Sequence, residues 1–333
     1  MTAAMALSAR DYNNRGALLH AQGDLAGARA NYQTALEMDP DDATALNNLG
    51  FLTLQQGDAA QALTLFQRAL ALEPEKAVAH ANLGSALAML GEVDAALLAL
   101  QTALDIDSSN LPAWDNLGQC YMLQGNFAEA ERAFRAAVRL APENARLFTA
   151  LGTMIAMQQR SEEAIPYLQH AIAVDPTFAR AWAQLGTLLF LRQDYGAATD
   201  TLTQAIDLAP DDVEARQQLA TVLVARGERQ AAADWLTSVL DLEPDNDETM
   251  VDLAVLLLAD GRQEVAVQLL DQALAIDPAP ARTRYYHAAA LAQAGRVAEA
   301  RAVMADLARE SVHPKYTARA RDFLAQEQAE GSV

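Results

Sequence analysis

Four asparagines, Asn14, Asn48, Asn82 and Asn116, stand 34 residues apart, and each is followed two residues later by a glycine: Gly16, Gly50, Gly84 and Gly118. A carboxamide carries both donors and an acceptor, so it can bond a peptide unit whatever that unit's side chain. A row of such groups at a fixed interval could hold the backbone of an extended chain. It could equally bond within the protein, or only solvate a helix. The register continues through Ala150, Gln184, Gln218, Asp252 and Tyr286, so the asparagine row stops after four steps.

Other reactive residue types are not arranged for chemistry. The five histidines, His20, His80, His170, His287 and His313, form no i, i+4 pair with one another or with cysteine, so no metal site is expected. Cys120 is the only cysteine, which excludes an internal disulfide and a cysteine-based metal site. It holds a place that is elsewhere Leu, Ala, Met or Val, and reads as a small core residue rather than a reactive thiol. No glycine-rich phosphate loop and no Gly-x-Ser-x-Gly elbow occurs. The carboxylates gather at helix boundaries, as in Asp39, Asp41 and Asp42 or Asp211 and Asp212, where capping and the helix dipole account for them. Neither catalysis nor a cofactor is expected.

Composition narrows the partners. The net charge is −20 over 333 residues. Residues 1–144 hold 8 basic and 17 acidic side chains and the remainder 16 and 27, so the halves carry −9 and −11. With neither half basic enough to neutralise phosphates, nucleic acid is not an expected partner. No apolar run approaches the roughly 18 residues of a membrane helix, so no stable membrane insertion is expected. The opening MTAAMALSARDYNNRG has no basic flank or sustained apolar stretch of a signal peptide, and a cytoplasmic location is expected. Only Lys76 and Lys315 are lysines, against 22 arginines, a usage that with the alanine richness hints at a GC-rich bacterial genome.

The elements that must position the asparagines follow from a longer pattern. Pro40, Pro74, Pro142, Pro176, Pro210, Pro244 and Pro278 are separated by 34 residues, or by 68 across Ser108. They frame nine units: 9–42, 43–76, 77–110, 111–144, 145–178, 179–212, 213–246, 247–280 and 281–314. Position 20 of the unit is alanine in all nine, position 8 is glycine in six and alanine in three, and position 7 is leucine in seven. Each unit reads as two amphipathic helices, with positions 4, 7, 8 and 11 on one face of the first. Small residues at 8 and 20 let the helices approach closely. Gly23, Gly57 and Gly91 mark the turn between them, and the proline ends the second helix. Asp42, Asn110, Asn144, Asp212 and Asn246 stand where the next helix needs an N-cap.

This pattern resembles the tetratricopeptide repeat (TPR) family over residues 9–314. The resemblance implies an all-α, right-handed superhelical solenoid of about nine helical hairpins whose first helices line a concave face. Residues 1–8 would be an N-terminal extension, and 315–333 a C-terminal capping helix and tail. In that helix Tyr316, Ala320, Phe323 and Leu324 share one face, as a terminal element needs. Arg15 replaces leucine in the first unit, which has no preceding neighbour to bury it.

On each first helix, positions 2, 5, 6, 9, 12 and 13 are expected to face the groove. They supply the candidate partner-binding residues Asn14, Asn48, Asn82, Asn116, Asn47, Phe51, Met89, Met122, Met157 and Phe190, together with Leu54, Leu123 and Leu191. In Leu46–Gly50 the leucines and glycine would build the stack while Asn48 points away from the core. The row is similar to the asparagine ladder in the TPR region of O-linked N-acetylglucosamine transferase, though it is shorter. The carboxylate clamp of other TPR proteins needs Lys or Arg where this chain has Asn13, Ala17, Asn47, Phe51, Ala81 and Ser85. Glu214, Glu248 and Asp252 make the C-terminal groove acidic and would favour a basic segment there. The expected function is a non-catalytic scaffold that binds an extended or helical segment of a partner protein and assists assembly of a complex. A chaperone for a secreted or pilus subunit, or a peptide-responsive regulatory subunit, are the alternatives. The sequence leaves the oligomeric state open.

Overall fold

In a computed structural model, residues 7–310 and 313–330 are described, with the side chains of 328–330 outside the description. Most of the expected N-terminal extension, and residues 331–333 of the tail, therefore lie outside the described residues. The chain is 81% helical, and among the described residues every regular element is an α-helix. It divides into two compact units, one ending at Pro176 and the other beginning at Thr177.

The first unit holds five hairpins. These are α1 (Ala9–Ala21) with α2 (Leu25–Met38), α3 (Ala43–Gln55) with α4 (Ala59–Leu72), and α5 (Ala77–Met89) with α6 (Val93–Ile106). Then come α7 (Leu111–Leu123) with α8 (Phe127–Leu140), and α9 (Ala145–Met157) with α10 (Ser161–Val174). The second unit holds α11 (Ala179–Leu191) with α12 (Tyr195–Leu208), α13 (Val213–Arg226) with α14 (Arg229–Leu242), and α15 (Asp247–Ala259) with α16 (Gln263–Ile276). It closes with α17 (Ala281–Gln293), α18 (Val297–Arg309) and a single last helix, α19 (Pro314–Glu330).

Local chemistry sets these boundaries. The Asp42, Asn110, Asn144, Asp212 and Asn246 side chains each accept a backbone N–H from the first turn of the helix they precede. They thereby satisfy donors that have no intrahelical acceptor. Position 15 leaves the first helix in the left-handed region in all nine hairpins. Seven of these residues are glycine, but Gln159 (φ 62°) and Gln193 (φ 64°) adopt the same conformation with a Cβ.

Each hairpin closes around its small residues. Ala130 and Ala164, at position 20, are wholly buried. A Cβ added to Gly118 would lie 2.7 Å from the buried Phe134 ring, so position 8 must stay small while position 24 stays large. Arg15 is exposed. At the other end Ala320 is buried, and Tyr316, Phe323 and Leu324 pack on the second unit's core.

One charged network ties two hairpins of the first unit together. Glu131 in α8 is 8% exposed and accepts from Arg135, from Gln158 at the end of α9, and from Arg160 at the start of α10. Arg135 continues to the Tyr167 hydroxyl (2.8 Å) and to Glu163 (2.9 Å). Burial alone would raise the Glu131 carboxyl, but the bonds from Gln158, Arg135 and Arg160 outweigh it and hold the group below its ordinary value of 4.5.

Three outcomes follow from this packing. Ala130→Leu or Ala164→Leu overfills the interhelical contact and should destabilise by about 1–3 kcal/mol, whereas Ala325→Leu on the exposed side of α19 should be tolerated; urea unfolding separates them. Gln159→Gly removes the left-handed strain of a residue with a Cβ, about 1–2 kcal/mol, at an unfolded-state cost of about 0.4–1 kcal/mol. A small rise in melting temperature is therefore expected. Glu131→Gln should destabilise at neutral pH. Because the folded-state pKa lies below the unfolded value, the Glu131 contribution is complete above 4.5 and disappears as pH falls through the lower folded value. The gap between variant and wild-type denaturation midpoints should therefore shrink in acid; a gap independent of pH would rule out the charged network as its source.

Candidate functional site

Helical geometry divides the first helix of a hairpin more finely than the six-position stripe. In α3, positions 2, 9 and 13 (Thr44, Phe51 and Gln55) are exposed and position 6 (Asn48) is half-buried. Positions 5 and 12 turn inward. Asn47 is only 6% exposed and Leu54 is buried, so neither lies on the groove surface as expected. The reason is the neighbouring hairpin, whose first helix packs along that edge and covers both.

The asparagines are bonded across this edge. Asn48 Nδ2 donates to Asn13 Oδ1 (3.0 Å), and Asn82 Nδ2 donates to Asn47 Oδ1 (3.0 Å). Asn116 Nδ2 donates to Ser85 Oγ (2.6 Å). Position 6 of one hairpin thus reaches back to position 5 or 9 of the hairpin before it, and Asn48, Asn82 and Asn116 do not simply point away from the core. Each of these amides spends one donor inside the array and remains half-buried. Asn14, in the first hairpin, is exposed. In the second unit Gln218 plays the same part, its Oε1 accepting from Thr187 Oγ1 (2.7 Å).

The apolar candidates fall into two groups. Met89, Leu123 and Met157, all at position 13, are 58%, 65% and 53% exposed, and form a row along the first unit. Phe51 and Met122 are exposed beside them, and the Phe51 ring centroid lies 5.7 Å from that of His20. Phe190 belongs to the second unit, where it is half-buried against Tyr195, with ring centroids 5.8 Å apart. Leu191 in the same unit is exposed.

Three polar contacts had no sequence signal beyond residue type. His20 Nε2 meets Gln55 Oε1 at 2.6 Å, Arg146 pairs with Asp115, and Arg282 pairs with Asp252. The last pairs one of the three carboxylates expected to make the C-terminal groove acidic, while Glu214 and Glu248 are exposed. Cys120 is buried, and desolvation pushes its thiol pKa up. Among the described residues, no group of three or more His, Cys, Asp or Glu could hold a metal ion, and no helix is long and apolar enough to cross a membrane.

Comparison with known proteins agrees with the hairpin geometry. Family models for the TPR repeat match residues 16–57 and for the tetratricopeptide repeat residues 41–109. The model of the cilia and flagella-associated protein 70 C-terminal domain, a TPR-type domain, matches residues 105–323. No curated protein matches the chain significantly. Among solved structures, the APC/C hetero-tetramer Cut9–Hcn1 is similar with a TM-score of 0.60 at 20% identity, covering 80% of this chain and 52% of that one. The chain therefore spans about half the length of that relative. Pseudomonas aeruginosa pilF is similar with a TM-score of 0.55 at 20% identity, covering 64% of this chain and 96% of that one. At such identity both are likenesses of fold, an all-α solenoid of helical hairpins. The chain belongs to the tetratricopeptide repeat family.

Proposed function

We propose that the protein is a non-catalytic interaction scaffold whose first unit holds an extended or helical segment of a partner protein. The observation that carries this reading is the row of exposed Met89, Leu123 and Met157, one per hairpin, on the inner helices. Methionine and leucine left uncovered at a repeated position suit an adaptable apolar contact. Beside them the half-buried Asn48, Asn82 and Asn116 amides each have one N–H engaged within the array, and a carboxamide has further donor and acceptor capacity for a peptide backbone.

Charge narrows the partner further. Within the first unit, the groove positions of the second to fifth hairpins carry Asn, Ser, Thr, Gln, Ala, Val, Pro, Met, Leu and Phe, with Arg146 and Asp115 paired to one another. The first hairpin adds exposed Arg10 and half-buried His20. The bound segment is then apolar and weakly charged, and its affinity depends little on salt. A basic partner segment would find its carboxylates elsewhere, at Glu214 and Glu248 in the second unit. The remaining choice among complex scaffold, subunit chaperone and peptide-responsive regulator turns on what the groove captures.

The test is affinity capture from a lysate of the source organism, compared across two variants. Met89→Ser, Leu123→Ser and Met157→Ser together should keep helicity, because these side chains are mostly exposed. Full burial of each is worth about 1.5–3 kcal/mol, and roughly half of that is at stake here. Capture should fall by about two orders of magnitude, at tenfold per 1.4 kcal/mol. Asn48→Ala, Asn82→Ala and Asn116→Ala together should lower both capture and melting temperature. Each removes an inter-hairpin bond worth about 0.5–1.5 kcal/mol. Undiminished capture by the Met/Leu variant would sink the proposal.

A further inference from the structure

The last hairpin and α19 differ in charge from the rest of the chain. Residues 281–330 hold eight Lys or Arg against six Asp or Glu, a net +2 in a chain of −20. Part of this excess is gathered on one surface. Arg282, Tyr285 and Tyr286 occupy positions 2, 5 and 6 of the ninth unit. Tyr316 and Arg319 of α19 lie 34 residues beyond Arg282 and Tyr285, so the inner face continues onto the final helix.

The three tyrosines form one cluster. Ring centroids are 5.4 Å apart for Tyr285–Tyr286 and 5.7 Å for Tyr285–Tyr316. A cation stands over each ring: Arg282 at 5.9 Å from Tyr286, Arg319 at 5.7 Å from Tyr285, and Lys315 at 5.5 Å from Tyr316. Stacking holds a cation in place while leaving its N–H donors free for an anion. Arg282 is already paired with Asp252, but Lys315 and Arg319 are exposed and meet no carboxylate among the described residues. In the same unit a cavity of about 220 Å³ is lined by Ala220, Val224, Leu236, Val255 and Leu256, with Thr221 and Asp252 also in its wall. Asp252 thus links an apolar cavity on one side to the cation–tyrosine cluster on the other.

We infer that this end of the second unit is a separate binding site for an acidic peptide segment. One apolar side chain enters the cavity, and the following carboxylates bond Lys315 and Arg319. A volume of about 220 Å³ accommodates a leucine or methionine side chain. The overall field opposes this ligand, since a protein of net charge −20 repels acidic peptides. Binding would therefore report the local cluster rather than a general attraction. The site is independent of the apolar row in the first unit.

The full-length chain can be titrated against a fluorescein-labelled peptide, Leu-Ser-Gly-Glu-Glu-Glu-Glu, with anisotropy as the readout. Saturable binding is expected, weakening as salt is added. The peptide with Gln in place of Glu should bind at least about tenfold more weakly, because charge-assisted bonds are roughly twice as strong as neutral ones. Changing its Leu to Ser should weaken binding by about tenfold, the lower end of what burial of that side chain is worth. Lys315→Glu with Arg319→Glu, both exposed, should abolish binding of the acidic peptide. No saturable binding, equal binding of the Gln peptide, or an unaffected double variant would each overturn the inference. So would an oligothymidine that displaces the peptide and binds more tightly, because the cluster would then be a nucleic-acid site. The peptide substitutions are read on the wild-type chain, so the test survives even if the double variant fails to fold.

Discussion

Everything in this molecule depends on two helices approaching closely enough to share one buried stripe. The approach needs a small residue on each side, Gly118 or its equivalent at position 8 and Ala130 at position 20, and a large one, Phe134, to fill the space beyond. A Cβ at Gly118 would intrude on the Phe134 ring, and a larger side chain at Ala130 has nowhere to go. A hairpin closed in this way still has one uncovered edge, which only another hairpin can bury. Within each unit the core is accordingly a chain of local contacts, and each added hairpin solves the exposure problem of the previous one.

The same edge explains why the asparagine row is structural. Position 5 lies under the neighbouring helix and position 6 lies at its margin, so Asn82 donates to Asn47 across the seam while remaining half-buried itself. Neighbouring hairpins are thus joined through one side chain. The apolar row at position 13 is not coupled in this way, because Met89, Leu123 and Met157 stand clear of the seam. Polar groups join the hairpins, and the apolar row is left exposed.

Much of this was legible in residue order. The 34-residue frame located the helices, Asp42 and Asn144 announced their caps, and Gly57 and Gly91 announced left-handed exits. The exits at Gln159 and Gln193 fall in the same register, but residue type gave no sign of a left-handed conformation there. What periodicity could not resolve was the difference between adjacent positions on one helix. Asn47 and Asn48 are the same residue one step apart; a rotation of about 100° puts one under a neighbour and the other at its margin. Pairings such as Arg282–Asp252 were hidden because they join separate hairpins. The cationic patch was hidden for a plainer reason: halving the chain averaged the +2 of residues 281–330 into a strongly negative remainder.

Cys120 gives the array a property unrelated to binding. The chain's lone thiol is closed inside the fourth hairpin, and burial raises its pKa, so in the closed state it is neither reachable nor a thiolate. Any reagent that attacks it must wait for that hairpin to open. Its modification rate under native conditions is therefore a clock for local unfolding, set by the opening equilibrium rather than by intrinsic thiol reactivity. A ligand seated on the inner helices around it holds the hairpin shut and slows that clock by the same factor as it stabilises the closed state.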